Sequence, residues 1–435
     1  MQKAKKLIET VSDNKNNTWK RTRAGAQLRL MHCIPAVAVL MVINLLLPTG
    51  CGCSGRSAIP VLPGSSAVVC DPSIGTVEPA SVCTQTDPCT AEELMPLYAQ
   101  KAPPILQINT PSTKPVCSTS QHAIVQGRAA YDDGPPLEWT DANGVIRYRC
   151  EARPPGTSQG SRRPLVIWIP GSGGSATTVY DNASLRDKMA AYDLTGDPTR
   201  PGFILVSVQP RNLHWPTEDP EAGAKHDTYY RDLNSPSTNL DIAHIDHIID
   251  ELAAESVVDA SRIYIMGWSN GGRFAALYGI ARHETQTPGG HRIAAVANYS
   301  AGDPFENIRH DYKPSCKQDS YPQSAVPVYL ISRTCDVIAC NPAQDQAFQD
   351  EGVITTPGNI AETWIADLMS KVGSATVDWK LINTMGADAV QCAPAGACSS
   401  PIAVVNHLRW PDGVADGGSD HEPDMLNFLK GHQSP

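Results

Sequence analysis

Residues 263–276 read IYIMGWSNGGRFAA, and they decide the fold. A mostly apolar run leads into Gly267, and a stretch of small and apolar residues follows Gly271. Glycines on both sides of Ser269 allow a strand and a helix to approach each other around a tight turn. The segment therefore predicts a strand, a sharp turn that exposes a serine hydroxyl, and a helix.

Short apolar runs on either side of this segment have the length of strands buried on both faces. They are Val145–Ala152, Leu165–Ile169, Phe203–Val208, Ala294–Asn298 and Val326–Ser332. Between two of them, apolar residues at helical spacing predict a helix over 241–252, capped by Ser237 and Thr238. Alternating strands and helices indicate a mostly parallel sheet with helices on both faces. With the Ser269 turn, this predicts the α/β-hydrolase fold.

A serine hydroxyl becomes a good nucleophile only when a base removes its proton, and the α/β-hydrolase fold supplies serine, acid and histidine in that order. Asp336 follows the Val326–Ser332 run and is the predicted acid. Asp303 is the alternative, although it follows the strand immediately after the serine helix. Ser269 and Asp336 are therefore the first two predicted catalytic residues.

Two histidines compete for the role of base. His421 directly precedes a predicted helix in which Pro423 suits the first turn, so its side chain could turn towards the serine. His407 lies inside Ile402–Trp410, which we interpret as a last strand, and a structural role fits it better there. We therefore predict His421 as the base and keep His407 as the alternative.

Negative charge that develops on a substrate oxygen must be met by N–H groups that are already in position. One should be the backbone amide of Asn270, next to Ser269. The second should come from the loop Pro170–Ser175, which follows a predicted buried strand, and Ser172 is the predicted donor.

Four segments together resemble the polyhydroxybutyrate depolymerase and feruloyl esterase group of extracellular esterases. They are Pro170–Ser175, Asp241–Leu252, Val258–Arg262 and Gly267–Gly272. The resemblance spans roughly residues 165–432, and it implies the α/β-hydrolase fold, the triad order, and ester substrates that are often polymeric or aromatic. Pro170–Gly171 stands where the group usually has His-Gly. The group's His-x-Trp-Pro pattern occurs only at 407–411, which keeps His407 open as the base.

The N-terminus predicts export from the cytoplasm. A basic stretch precedes the uncharged apolar run Ile34–Leu47, which has the length of a signal peptide and is too short to span a bilayer. The following Leu47–Cys51 is similar to a bacterial lipoprotein signal, in which the cysteine is lipidated; a plain cleaved signal is the alternative. We therefore expect a signal peptide at 1–50, a Pro/Ser/Cys-rich tether at 51–125, a catalytic domain at 126–435, and an anchor at Cys51 in the cell envelope.

Thirteen cysteines fit an oxidising compartment, where disulfides persist. Three close pairs are candidate bridges, namely Cys83 with Cys89, Cys335 with Cys340, and Cys392 with Cys398.

The formal net charge of −10 leaves no basic surface typical of nucleic-acid binding, so we expect a small or polymeric ester as the partner. No cofactor or metal is expected, because His244 and His247 lie one helical turn apart without an evident third ligand, and a solvated helix face explains them better. The leading hypothesis is ester hydrolysis through an acyl-enzyme on Ser269. The alternatives are a catalytically inactive surface-binding lipoprotein and a serine peptidase on the same fold.

Overall fold

In a computed structural model of the chain, the described residues are 106–107, 113–214, 224–228, 235–284, 289–301, 304, 324–333, 336, 377–382, 401–414 and 418–434. Several predictions lie outside them. These concern the signal peptide at 1–50, Cys51, Asp303, and the pairs Cys83–Cys89, Cys335–Cys340 and Cys392–Cys398. In the described part of the chain, no helix has the length and apolar character needed to cross a bilayer.

An eight-stranded sheet forms the centre of the domain, in the order β11-β10-β9-β8-β4-β5-β3-β2. Its strands are β2 (Leu137–Thr140), β3 (Ile146–Ala152), β4 (Arg163–Ile169), β5 (Ile204–Val208), β8 (Val258–Trp268), β9 (Ala295–Tyr299), β10 (Val328–Arg333) and β11 (Val377–Ile382). The β2–β3 and β3–β5 pairs are antiparallel, and the other pairs are parallel. A three-stranded sheet is made of β1 (Leu106–Gln107), β6 (Arg211–His214) and β7 (Ala224–Lys225).

Helices cover both faces of the large sheet, because the side chains of its central strands alternate between two apolar layers. The described helices are α1 (Gln121–Val125), α2 (Thr178–Asn182), α3 (Leu185–Lys188), α4 (Leu240–Ala254), α5 (Asn270–Arg282), α6 (Pro401–His407) and α7 (Glu422–Lys430). Leu165, Ile167 and Ile169 of β4 pack with α4 and α5. Val166 and Trp168 face the other side, with α2, α3 and α7. This confirms the predicted α/β-hydrolase fold class.

Helix α4 begins within one residue of its predicted range, but its cap differs from the predicted Ser237 and Thr238. Residues 236–238 form a short 3-10 turn, and the cap is Asn239, whose Oδ1 accepts from the amides of Asp241 and Ile242 at 2.9 and 3.3 Å. Asparagine caps helices as well as serine does, so cap preference alone does not distinguish Asn239 from Ser237. The expectation that His244 lies on a solvated face is also wrong, because its ring is buried and stacks on Trp139.

The predicted last strand over 402–410 is wrong, since Pro401–His407 is helix α6. A short apolar run with β-branched residues fits a buried strand and a short helix equally well. The edge of the sheet is formed instead by β11, Val377–Ile382, which pairs in parallel with β10.

Residues 113–125 pack on the domain, although the sequence analysis placed them in the tether. Cys117 forms a disulfide with Cys150 of β3, and both sulfur-bearing residues are buried. The Thr119 amide donates to the carbonyl of Tyr131 at 3.0 Å, and Ala123 of α1 is buried. The folded domain therefore begins before residue 126.

Candidate active site

Ser269 lies at the turn between β8 and α5 in a strained backbone conformation. Its φ is 56° and its ψ is −124°, a region that non-glycine residues rarely occupy outside functional sites. A Cβ at Gly267 would lie 2.3 Å from the carbonyl oxygen of Gly271, and one at Gly271 would lie 2.3 Å from that of Ile169. Only glycine fits at these two positions. We call residues 267–272 the elbow.

His407 is the imidazole that the structure places against the elbow. Its Nε2 lies 2.7 Å from Oγ of Ser269, and its Nδ1 lies 2.9 Å from Oδ1 of Asp336. Asp336 is fully buried and follows the end of β10 by three residues, where the sequence placed an acid. The three side chains thus form a hydrogen-bonded chain from a buried carboxylate to a serine hydroxyl.

The expectation that His421 lies beside Ser269 requires correction. His421 caps α7, and its Nδ1 lies 2.9 Å from Oδ2 of Asp424, within the same helix start. The interpretation of 402–410 as a strand caused the error, because it placed His407 in the middle of an element. His407 is instead the last residue of α6, and its ring extends from the helix end towards the elbow.

Ser300 also belongs to this group of side chains, and the sequence analysis missed it. Its hydroxyl donates to Oδ2 of Asp336 and lies 2.6 Å from Nδ1 of His407. The one available signal was its position directly after β9, at the carboxyl end of a parallel strand, where functional residues collect in such sheets.

The two predicted oxyanion donors lie on elements that meet at Ser269. Asn270 is the first residue of α5, where backbone amides have no acceptor within the helix. The loop that contains Ser172 also passes close to Ser269, because a Cβ at Gly171 would lie 3.1 Å from Cβ of Ser269. The Gly173 amide holds this loop through a 2.7 Å hydrogen bond to the carbonyl of Ala224.

Aromatic residues fix the end of α6 to the elbow. Nε1 of Trp268, the residue before Ser269, donates to the carbonyl of His407 at 2.8 Å. The Tyr299 hydroxyl donates to the carbonyl of Asn406 at 2.8 Å. Carbonyls at a helix end lack intrahelical donors, so these two bonds both satisfy and position the end of α6.

The segment after His407 is anchored by polar and ionisable groups of α7, of the α2–α3 region and of Arg128. Trp410 Nε1 donates to Oε1 of Glu422 at 2.6 Å, and Lys188 Nζ lies 2.7 Å from Oε2. Burial raises the pKa of Glu422 to about 7, although the charge of Lys188 opposes that shift. Asp412 accepts from Arg128 and, at 2.9 Å, from the hydroxyl of Ser184.

Among the residues that the structure describes, no three His, Cys, Asp or Glu side chains are grouped closely enough to hold a metal ion.

No protein-family model matches the chain, and no match was found among curated proteins. Among solved structures, the chain is similar to a thermostable esterase at 16% identity and a TM-score of 0.39, with 69% of this chain and 63% of the esterase covered. It is similar to a Pyrobaculum calidifontis esterase at 14% identity and a TM-score of 0.37, with 66% and 88% covered.

A putative dipeptidyl aminopeptidase IV from Bacteroides ovatus ATCC 8483 is also similar, at 11% identity and a TM-score of 0.38, with 68% of this chain and 35% of that protein covered. At these identities and TM-scores, the likenesses carry no argument about the reaction. The fold assignment therefore rests on the order of the strands in the sheet and on the elbow.

Proposed function

We propose that the protein is a serine hydrolase that cleaves carboxylic esters through an acyl-enzyme on Ser269. The 2.7 Å contact between Ser269 Oγ and His407 Nε2 carries this proposal, because it joins a hydroxyl in a strained turn to an imidazole held by a buried carboxylate. In this proposal His407 takes the place of the predicted His421.

The first half of the reaction forms the acyl-enzyme. The Ser269 oxygen attacks the ester carbonyl carbon while its proton moves to His407 Nε2, and Asp336 stabilises the resulting imidazolium. The backbone amides of Asn270 and Ser172 would meet the charge on the carbonyl oxygen. Collapse of the tetrahedral intermediate breaks the bond to the alcohol oxygen, which takes the proton from His407.

The second half repeats these steps with water. Water gives a proton to His407 Nε2 and attacks the acyl carbon, and collapse releases the carboxylic acid and returns the proton to Ser269. No other reactant is required.

The substrate class rests on the resemblance of residues 165–432 to polyhydroxybutyrate depolymerases and feruloyl esterases. This resemblance supports polyhydroxyalkanoate-like, feruloyl-type or other small esters as substrates.

The test is turnover of p-nitrophenyl and hydroxycinnamate esters by the full chain, beside Ser269→Ala and His407→Ala. We expect each substitution to lower kcat by at least about a thousandfold. Ser207→Ala is the matched control, because Ser207 is a buried sheet serine whose hydroxyl has no hydrogen-bond partner among the residues that the structure describes. It should keep wild-type activity.

Labelling by a fluorophosphonate separates the alternatives. Labelling of the wild type but not of Ser269→Ala, together with ester turnover, supports the proposal. Turnover of peptides without turnover of esters would indicate a peptidase. A wild-type protein that neither turns over an ester nor reacts with the probe would be a binding protein.

We also propose that the mature chain is anchored in the cell envelope through a lipid on Cys51. The support is the basic and apolar N-terminal segment that precedes this cysteine. Metabolic labelling with a fatty acid should mark the wild type and not Cys51→Ser. Equal labelling of both would overturn this assignment.

A further inference from the structure

The hydroxyl of Ser300 lies between the acid and the base of the candidate triad. It is 2.6 Å from Nδ1 of His407, and it donates to Oδ2 of Asp336, whereas Oδ1 of the same carboxylate lies 2.9 Å from Nδ1 of His407. Ser300 is only 1% exposed. Its side chain therefore contacts the triad from the side opposite to Ser269 and cannot reach the substrate.

The backbone holds Ser300 in this position at a conformational cost. Its φ of 51° lies in the left-handed region, which is uncommon for residues other than glycine, asparagine and aspartate. Its amide donates to the carbonyl of Ile331 at 2.8 Å, and the neighbouring Tyr299 carbonyl accepts from the Ser269 amide at 3.1 Å. Ser300 is thus tied to the strand that precedes Asp336 and, through Tyr299, to the elbow.

The hydrogens can be assigned from chemistry. An ionised carboxylate only accepts, so the Ser300 hydrogen points to Oδ2 of Asp336. The Ser300 oxygen keeps its lone pairs, and His407 must carry its hydrogen on Nδ1 if Nε2 is to accept the Ser269 proton. The Nδ1 hydrogen therefore lies between Oδ1 of Asp336 and Oγ of Ser300.

We propose that Ser300 is a positioning residue, whose hydroxyl closes a ring of hydrogen bonds with Asp336 and His407 and so fixes both groups for reaction at Ser269. This inference rests on the proposed function of the triad. Ser300 transfers no proton in the reaction. It prevents rotation of the carboxylate and tilting of the imidazole, and its oxygen stabilises the positive charge that His407 gains when Ser269 attacks.

The experiment compares Ser300→Gly and Ser300→Ala. Both substitutions remove the hydroxyl. Glycine suits the positive φ, whereas alanine keeps the Cβ and its strain. A defect caused by backbone strain would therefore differ between the two variants. We expect both to lower kcat by about tenfold to a hundredfold, the range for loss of a hydrogen bond to a charged group. KM should stay within about twofold, because Ser300 is buried away from the substrate. Ser207→Ala should change neither constant.

A spectroscopic signature separates positioning from a general structural defect. The Nδ1 hydrogen of His407 should give a low-field proton resonance in the wild type, absent in His407→Ala. The proposal requires this resonance to shift or broaden in Ser300→Gly while Ser207→Ala keeps it. An unchanged kcat or an unmoved resonance in Ser300→Gly would overturn it.

This design also separates failure of the inference from failure of the proposed function. If the wild type cleaves no ester, the proposed function fails, and the comparison of resonances still decides whether Ser300 orients His407. If the wild type cleaves esters and Ser300→Gly behaves like the wild type, only the role of Ser300 fails.

Discussion

The elbow and the segment from His407 to Glu422 hold the two ends of the same 2.7 Å contact, yet different kinds of interaction fix them. The elbow depends on glycines four residues apart, at positions where a Cβ would overlap the backbone. The His407 segment depends on contacts with residues that are distant in the chain. For example, the backbone amide of Ser184 donates to the side chain of Glu422, 238 residues later. Local sequence therefore sets the position of the serine, whereas long-range packing sets that of the histidine.

Gly271→Ala should give the largest combined effect on activity and stability, because it disrupts the local geometry that sets the position of Ser269. The new Cβ would lie 2.3 Å from the carbonyl oxygens of Ile169 and Pro170, which join β4 to the candidate oxyanion loop. We expect a loss of at least about a hundredfold in kcat/KM and about 2–4 kcal/mol in the free energy of unfolding. Gly160→Ala is the control, since no atom of the described residues lies within 4 Å of a Cβ built there, and it should change stability by less than about 0.5 kcal/mol. Wild-type activity in Gly271→Ala would show that the elbow tolerates more than its geometry suggests.

Glu422→Gln tests how ionisation of Glu422 affects the long-range packing around the His407 segment. Burial raises the pKa of Glu422 from 4.5 to about 7, so the folded state holds this proton more tightly than the unfolded state. Its contribution to stability is present below pH 4.5 and is lost as the pH rises through 7, by about 3 kcal/mol in total. Glutamine should abolish this loss, and Lys188 would still pair with Asp420 at 2.8 Å.

The measurement is urea unfolding of both proteins between pH 4.5 and 8. Burial lowers the pKa of His226 to about 4, which adds a contribution of the opposite sign over much of this range. The informative quantity is therefore the difference between the two curves, which should grow in favour of Glu422→Gln as the pH rises. A difference that does not depend on pH would mean that folding does not raise the pKa of Glu422.

Trp410→Phe should have a smaller effect, since it removes one hydrogen bond and leaves an aromatic ring among Trp168, Trp268 and Tyr299. Without the 2.6 Å bond to Glu422, the segment after His407 should loosen, which lowers stability by about 1–3 kcal/mol and kcat by roughly tenfold. Trp168→Phe is the matched control, because Trp168 is equally buried and its Nε1 has no hydrogen-bond partner in the described part of the chain. It should lose stability through packing while kcat stays the same. Equal losses of kcat in both variants would mean that ring packing, and not the bond to Glu422, positions His407.

The same contrast explains how much could be predicted from the sequence. The parallel strands and the elbow were predicted because glycine spacing and apolar runs act over a few residues. Asp336 was predicted for a similar reason, since it follows a strand that ends at the same edge of the sheet as β8.

The position of the histidine could not be obtained in this way. His407 lies within one apolar stretch and His421 directly precedes another, and contacts with distant residues bring the end of α6 to Ser269, among them those of Trp268, Tyr299 and Trp410. Ser300 was missed because its left-handed backbone is set by neighbouring strands and leaves no mark in the local sequence.

His421→Ala should have the smallest effect and is the most direct comparison of the two histidines. His421 is partly exposed, and its 2.9 Å contact with Asp424 is a surface pair, worth at most about 1 kcal/mol. Asp424 would keep Lys380 at 2.7 Å. We therefore expect kcat within about twofold of the wild type, against a loss of at least about a thousandfold in His407→Ala. If His421→Ala instead lost activity as His407→Ala does, His421 would have to reach Ser269 in solution. The segment after α6 would then rearrange, and the buried network around Glu422 would not be what positions the base.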